Sequence, residues 1–475
     1  MEQTLIGRER EQKELLRCKA SHQSEFVIVY GRRRVGKTYL VNQVLGQHFT
    51  FYYTSSHSAP KQRKLDRFGM ALESYGLGTK PQLSNWYDAF DALQLLIEKQ
   101  PSSSRKIVFI DEMPWIAGND SEFVSALEDF WNAWAMLRGD VMLVCCGSAT
   151  SWMVDHLIEN QGGLHGRITS RIYLQPFTLA ETEQFLVNKG CTWDRYQITQ
   201  CYMCFGGVPF YLNLLDISLS LAQNIDQLYL NPGATLHDEF SELYGSLFGG
   251  KEIYADVVRL LAQHHQGCTR QEIADAAKCN GGTLTKVLNN LSNSDFIIGY
   301  QQYGNKKKGI IYRLTDMFTL FYFHFIEGQT GIDTDVWQRT INSARIHAWQ
   351  GLCFELIALR HLEQIKRALG LTVVATKSST WRSQGDNEHK GTQIDLVIER
   401  ADRIIHLCEL KFSVEPYSVT ADYEQKLRNR MALFRAATKT RKSLVTTFIT
   451  TFGVVPGRHS GIVHSQVTLD DLFAV

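Results

Sequence analysis

Apolar runs and amphipathic stretches alternate through the first third of the chain. Phe26-Val27-Ile28-Val29-Tyr30, Lys106-Ile107-Val108-Phe109-Ile110 and Val141-Met142-Leu143-Val144-Cys145-Cys146 are short, nearly continuous apolar runs. Such runs predict strands buried on both faces rather than half-exposed ones. Asp88 to Glu98 is amphipathic at the helical period, and Tyr39 to Leu45 predicts another helix. Buried strands separated by helices imply a parallel sheet covered on both sides, an α/β domain.

The pattern then changes. Residues 179–248 read as mainly helical and end at the loop signal Gly249-Gly250. Ile253 to Ala262 predicts one helix. Thr269 with Glu272 three residues on forms a capping box that starts a second, and Gly282-Thr283 open a third, Leu284 to Leu291. Phe296 to Tyr300 and Ile310 to Tyr312 predict two strands around a turn from Tyr303 to Lys308. Three helices followed by a hairpin is the order of a winged helix. Gln329 to Ile341 is polar and turn-rich. The expected division is therefore an α/β domain at 1–178, a helical lid at 179–248, a winged helix at 249–328, a linker at 329–344 and a mixed α/β domain at 345–475.

Charge adds one exclusion. Lys+Arg total 50 against 49 for Asp+Glu, a net of +1 over 475 residues. That excludes a uniformly basic nucleic-acid coat but leaves room for local basic stripes. No apolar run approaches the ~18 residues of a membrane span, and Met1 to Lys19 lacks the apolar core of a signal peptide. The ten cysteines lie mostly inside apolar segments, as buried thiols do, and the lone pair Cys201 and Cys204 has no second pair to complete a zinc site. A reduced, cytoplasmic protein with no membrane partner is expected.

The sharpest chemistry is Gly31-Arg32-Arg33-Arg34-Val35-Gly36-Lys37-Thr38, a G-x-x-x-x-G-K-[ST] loop between a strand and a helix. Gly31 and Gly36 let the backbone curl so that N–H groups and the helix N-terminus face phosphates. Lys37 is expected to reach the β/γ-phosphates of ATP, and the Thr38 hydroxyl to ligate Mg²⁺. The strand Ile107 to Ile110 ends in Asp111 and Glu112, placing Asp111 to hold Mg²⁺ and Glu112 to orient or deprotonate the attacking water. Ser148, after a third strand, would lie beside the γ-phosphate if that strand neighbours the other two. Arg167 and Arg171, which follow a glycine-rich loop, are candidate arginine fingers.

Together with Ile6-Gly7-Arg8-Glu9 and Gly206-Gly207-Val208-Pro209-Phe210-Tyr211-Leu212, these motifs resemble the archaeal-type ATPases. Those belong to the STAND branch of the AAA+-related P-loop NTPases. The resemblance implies that Arg8 borders the adenine and that Pro209 packs near the base. It continues through Tyr312-Arg313-Leu314-Thr315-Asp316 and the aromatic run Phe318 to Phe325 into the C-terminal domain.

Two further elements suggest nucleic acid as a partner, DNA in preference to RNA. Lys286, Asn289 and Asn290 on the third helix, with Lys306, Lys307 and Lys308 at the wing tip, would contact a groove and its phosphates. A packing element between ATPase and effector is the competing reading of the same module. In the last domain, Gln393 to Ile398 and Ile404 to Lys411 predict a hairpin carrying Asp395, Glu409 and Lys411 as D-x13-E-x-K. Alternation puts Glu409 and Lys411 on one face, where Asp395 can meet Glu409 across the ladder to hold Mg²⁺, with Lys411 stabilising charge on a phosphate. This resembles the PD-(D/E)xK nuclease core, which implies a further catalytic glutamate at Glu355 on the preceding helix. Ile394 stands where the proline of that motif's name would be. The helix Ala421 to Thr438 and its continuation carry seven basic residues from Lys426 to Lys442, a stripe suited to a phosphate backbone. A catalytically inactive docking domain is the alternative, and a homo-oligomer is left open.

Overall fold

The computed structural model describes residues 5–56, 59–101, 104–118, 120–148, 150–159, 162–164, 166–304, 309–329, 333–385 and 390–474. The expected wing-tip lysines Lys306, Lys307 and Lys308 lie outside the described residues. The chain divides into two units, Met1–Pro176 with Asn293–Asp295, and Phe177–Ser292 with Phe296–Val475.

The first unit is built on five strands: β1 (Glu25–Tyr30), β2 (Phe49–Tyr53), β3 (Lys106–Ile110), β4 (Val141–Gly147) and β5 (Ser170–Tyr173). All pairings are parallel, in the order β2-β3-β4-β1-β5. Successive side chains leave opposite faces of a strand, and the two faces bury different sets. Phe26, Ile28, Val108, Ile110, Leu143 and Cys145 pack with Phe68, Trp86 and Phe123 on one side. Val27, Val29, Phe109, Met142 and Val144 pack with Leu15, Leu40 and Val41 on the other. β2 and β5 are the edge strands, partly exposed, and their sequences carry no continuous apolar run.

The second unit begins with helices, among them Leu179–Asn188 and Arg195–Phe205. Helices Glu252–Gln263, Arg270–Ala276 and Gly281–Asn293 follow, with an antiparallel sheet of β6 (Cys268–Thr269), β7 (Ile297–Gln301) and β8 (Ile310–Leu314) ordered β6-β8-β7. The Thr269–Glu272 capping box forms as its spacing predicts. The segment read as a linker contains a helix, Val336–Thr340, whose Trp337 is buried. The Trp337 N–H donates to Asp226 Oδ1 at 2.8 Å, which is why a polar stretch is ordered there.

A second five-stranded sheet comprises β9 (Thr376–Gly385), β10 (Lys390–Arg400), β11 (Ile404–Lys411), β12 (Ser443–Thr450) and β13 (Ser465–Thr468), ordered β13-β12-β11-β10-β9. β9, β10 and β11 run antiparallel, while β11, β12 and β13 run parallel. The helix Ala421–Thr438 supplies the crossover between β11 and β12 that a parallel pair requires. Among the described residues no helix is long and apolar enough to cross a membrane.

Candidate functional site

β4 lies between β1 and β3, so three strand ends converge at one edge of the first sheet. Gly31 leaves β1 at φ +144, and a Cβ there would stand 2.2 Å from the Leu174 carbonyl oxygen, so glycine is required. Gly36 precedes the helix Lys37–Leu45 at φ +90. The buried Lys37 ammonium donates to Gly31 O at 2.9 Å and Arg32 O at 2.8 Å, and burial lowers its pKa.

Thr38 Oγ1 donates to Asp111 Oδ2 at 2.8 Å, and the Glu112 N–H donates to Asp111 Oδ1 at 3.0 Å. A hydroxyl and a carboxylate at that separation form the hard-oxygen pair that Mg²⁺ takes, so these residues fit the metal. Glu112 sits at φ +49, a left-handed conformation that is strained for a glutamate, and heads the helix Met113–Ala117. Ser148 donates its hydroxyl to Glu112 Oε2 at 2.8 Å, with its N–H 3.2 Å from the same oxygen. Ser148 thus reaches the site through Glu112, a link that lay beyond the sequence motif. Arg33 stands over the Trp115 ring at 5.7 Å, also unforeseen.

The remaining nucleotide residues fall elsewhere. Arg8 is buried at the start of the helix Glu9–Ala20 in the first unit. Pro209 opens the helix Pro209–Asn213 in the second unit, where a Cβ on Gly207 would meet Phe177 O at 2.0 Å. Arg167 precedes β5 at the opposite sheet edge from the phosphate loop, is exposed, and points Nη1 at Met136 Sδ at 3.4 Å. The chain direction of β5 therefore keeps Arg167 from its own phosphate loop. Arg171 lies on β5 and is also exposed.

A second cluster lies in the second unit. Glu355 on the helix Ala344–Arg360, Asp395 on β10 and Lys411 on β11 line one cavity of about 610 Å³, together with His265, His324 and Arg345. The β10–β11 register places Leu396 opposite Cys408, which makes Asp395 and Glu409 the next facing positions. Asp395 and Glu409, expected to share a divalent cation, are each engaged by cations of the chain. Arg313 of β8 meets Glu355 Oε2 at 3.0 Å and Asp395 Oδ1 at 3.5 Å. Glu409 accepts from Tyr423 and Arg430 and pairs with Lys411 Nζ at 2.9 Å. Among the described residues no group of three or more His, Cys, Asp or Glu is arranged to hold a metal. As arranged, the donor set does not fit a divalent cation.

Burial and then the charge of Asp395 push the Glu355 carboxyl up to about 7, against the pull of Arg313. Burial alone would raise Glu409 and lower Lys411, yet their mutual attraction reverses both: Glu409 lies below the ordinary carboxylate value and Lys411 above the ordinary ammonium value. Arg313, Tyr423 and Arg430 are the residues that the motif did not announce. A lone arginine in the apolar run Ile310-Ile311-Tyr312-Arg313-Leu314 was the available signal.

The basic stripe is only partly available. Arg430 turns to Glu409, Lys442 to Glu399, and Arg428 pairs with Glu424 while remaining exposed; Lys426, Arg435, Lys439 and Arg441 are exposed. Lys286 and Asn289 are exposed on the helix Gly281–Asn293, whereas Asn290 donates to Tyr254 OH at 2.8 Å. Cys201 and Cys204 are buried free thiols.

Residues 5–215 match the family described as an ATPase domain predominantly from Archaea. An uncharacterized protein of Methanocaldococcus jannaschii is 23% identical over 396 residues, which cover 82% of this chain and 83% of that protein. The Walker-type ATPase paby2304 of Pyrococcus abyssi aligns over 67% of this chain and 96% of its own, at 16% identity and a TM-score of 0.48. The ORC2 protein of Aeropyrum pernix, solved as ADPNP–ADP complexes, aligns over 68% of this chain and 95% of its own, at 14% identity and a TM-score of 0.41. Residues 5–215 are thus similar to an ATPase domain of archaeal type, and that match supports an ATP-hydrolysing enzyme.

Proposed function

We propose that this ATPase domain is a Mg²⁺-dependent switch that controls a nuclease-like effector acting on nucleic acid, with DNA ahead of RNA. In this reading residues 1–178 are the motor, 179–248 a lid, 249–328 a winged helix, 329–344 a connector and 345–475 the effector. Lys37 would pair with the β/γ-phosphates, and Thr38 and Asp111 would hold the metal. When bound, Mg²⁺ would neutralise charge on the phosphate oxygens. Glu112 takes the proton of the attacking water, and Ser148 holds that carboxylate in place. Arg8 and Pro209 would border the base, as the resemblance implies.

The observation that carries the effector half is the single cavity lined by Glu355, Asp395 and Lys411. Two carboxylates and an ammonium share one hollow, the residue types that the nuclease resemblance implies, although as arranged their donor set does not fit a divalent cation. The helix Ala421–Thr438 presents Arg428 and Arg435, seven residues apart and so on one face, toward solvent for a phosphate backbone. The engagement of Glu409 by Tyr423, Arg430 and Lys411 favours a second reading, an inactive nuclease fold that only docks nucleic acid. Incubation with duplex, branched and single-stranded substrates in Mg²⁺ or Mn²⁺, with and without ATP, separates the two. Cleavage lost in Asp395→Ala supports the nuclease, and salt-sensitive binding without cleavage supports docking.

A further inference from the structure

The helix Met113–Ala117 that Glu112 heads has five residues. That is far below the ~12–15 at which an isolated helix becomes even marginally stable. Its place, and with it that of Glu112, is fixed from outside. At its far end Pro114 O accepts from the Gly118 N–H at 3.0 Å, and Ala117 O from the Asp120 N–H at 2.9 Å. The two carbonyls between them go to a side chain. The Lys64 ammonium donates to Trp115 O at 2.5 Å and to Ile116 O at 3.2 Å. Lys64 belongs to the helix Lys61–Leu72 and is only 6% exposed. Burial works against its charge and lowers its pKa. The nearby acids Asp120 and Glu122 pair with Lys61 instead, at 2.9 and 2.7 Å. A buried ammonium is costly, and both acceptors of this one lie at the C-terminal end of one short helix.

The near end of the same turn is held by the same segments. The Asp111 N–H donates to Tyr53 O at 2.8 Å, at the close of β2. The Tyr53 hydroxyl donates to Lys64 O at 2.8 Å. Tyr53 and Lys64 therefore form a bracket that grips the chain on either side of Glu112, at Asp111 and at Trp115 with Ile116. Glu112, at φ +49, is the left-handed residue between the two grips. The Trp115 ring also lies under Arg33 of the phosphate loop.

We propose that Lys64 is a positioning residue for ATP hydrolysis: with Tyr53 it fixes the turn that carries Glu112, so that this carboxylate stands where it can take the proton of the attacking water. This rests on the reading of Glu112 as the base. Ser148 sets one oxygen of the carboxylate, and the bracket sets the backbone from which it hangs. Lys64 acts through the main chain of the helix, so its loss should lower kcat and leave ATP binding largely as it is.

The test is steady-state phosphate release from ATP by the full chain carrying Lys64→Met, which keeps an unbranched side chain and removes the donors. Lys64→Met should lower kcat about tenfold or more, with KM for ATP within about twofold of wild type. Lys64→Arg, which restores the donors, should recover most of the rate. In a Glu112→Gln background Lys64→Met should have no further effect on kcat, because two changes that act through one group do not add. Tyr53→Phe loosens the bracket while keeping Lys64, should give a smaller fall of the same kind, and decides the matter where Lys64→Met does not fold. A wild-type kcat in folded Lys64→Met, even with a lower Tm, overturns the proposal, as does a wild-type kcat in Tyr53→Phe where Lys64→Met does not fold. An equal fall from Lys64→Met with and without Glu112 also overturns it, and leaves Glu112 as the base. Wild-type turnover by Glu112→Gln alone overturns the base and the positioning role together.

Discussion

The Ser148 hydroxyl and N–H both point at one oxygen of Glu112, at 2.8 and 3.2 Å. The two residues follow the C-terminal ends of adjacent parallel strands, β4 and β3, whose pairing brings them to the same sheet edge. On the proposed reading, fixing one carboxylate oxygen leaves the other to accept a proton from water; the Glu112 backbone itself is left-handed, at φ +49.

Ser148 is a positioning residue on this account. Ser148→Ala keeps the N–H contact and removes the hydroxyl, and the expected result is a fall in kcat of about tenfold with KM for ATP little changed. Ser148→Thr should recover most of the rate. A steady-state phosphate-release assay on the three proteins checks this; an equal rise in KM would point to nucleotide binding instead.

Gly31 and Gly36 make a matched pair. An alanine Cβ at Gly31 would meet Leu174 O at 2.2 Å, whereas one at Gly36 has no atom within 4 Å. Gly36→Ala should therefore pay only for positive φ, about 1–2 kcal/mol, and Gly31→Ala should lose more because backbone must move. Thermal unfolding of both variants should show the larger loss of Tm in Gly31→Ala.

Glu355 gives a pH signature. Its folded pKa of about 7 lies above the ordinary 4.5, so the folded chain holds this proton more tightly than the unfolded one. The stabilisation is complete below about pH 4.5 and is lost as pH rises through about 7. Glu355→Gln stays neutral throughout, so its Tm relative to wild type should rise between about pH 5 and pH 8. A Tm difference that does not change with pH would show that Glu355 titrates normally.

Nucleic-acid affinity should fall steeply with salt, by a slope of about 0.9 per phosphate contact. Arg428→Glu with Arg435→Glu should weaken binding across sequences and flatten that slope. Lys286→Glu should change little if the module of β6 to β8 is a spacer. Fluorescence anisotropy at several salt concentrations distinguishes these outcomes, and a large effect of Lys286 would restore a groove-reading role.

What could be read from the chain follows from how local each feature is. The phosphate loop is legible because its eight residues are contiguous, and β1, β3, β4 and β11 because they are buried runs between turns. β9, with Thr376-Lys377-Ser378-Ser379-Thr380, carries too little apolar pattern, and β2 and β5 are edges. Asp395, Glu409 and Lys411 announce themselves by spacing. Their partners Arg313 and Arg430 do not, since each pairing depends on tertiary structure that brings distant segments together.

The central claim is that Glu112 activates water in an ATP site built from Lys37, Thr38 and Asp111. The direct measurement is ATP binding and turnover by Glu112→Gln beside wild type. The expected result is nucleotide affinity close to wild type with turnover reduced by about 100-fold or more, because the phosphate and metal contacts remain while the base is gone. Turnover at the wild-type rate would contradict the account.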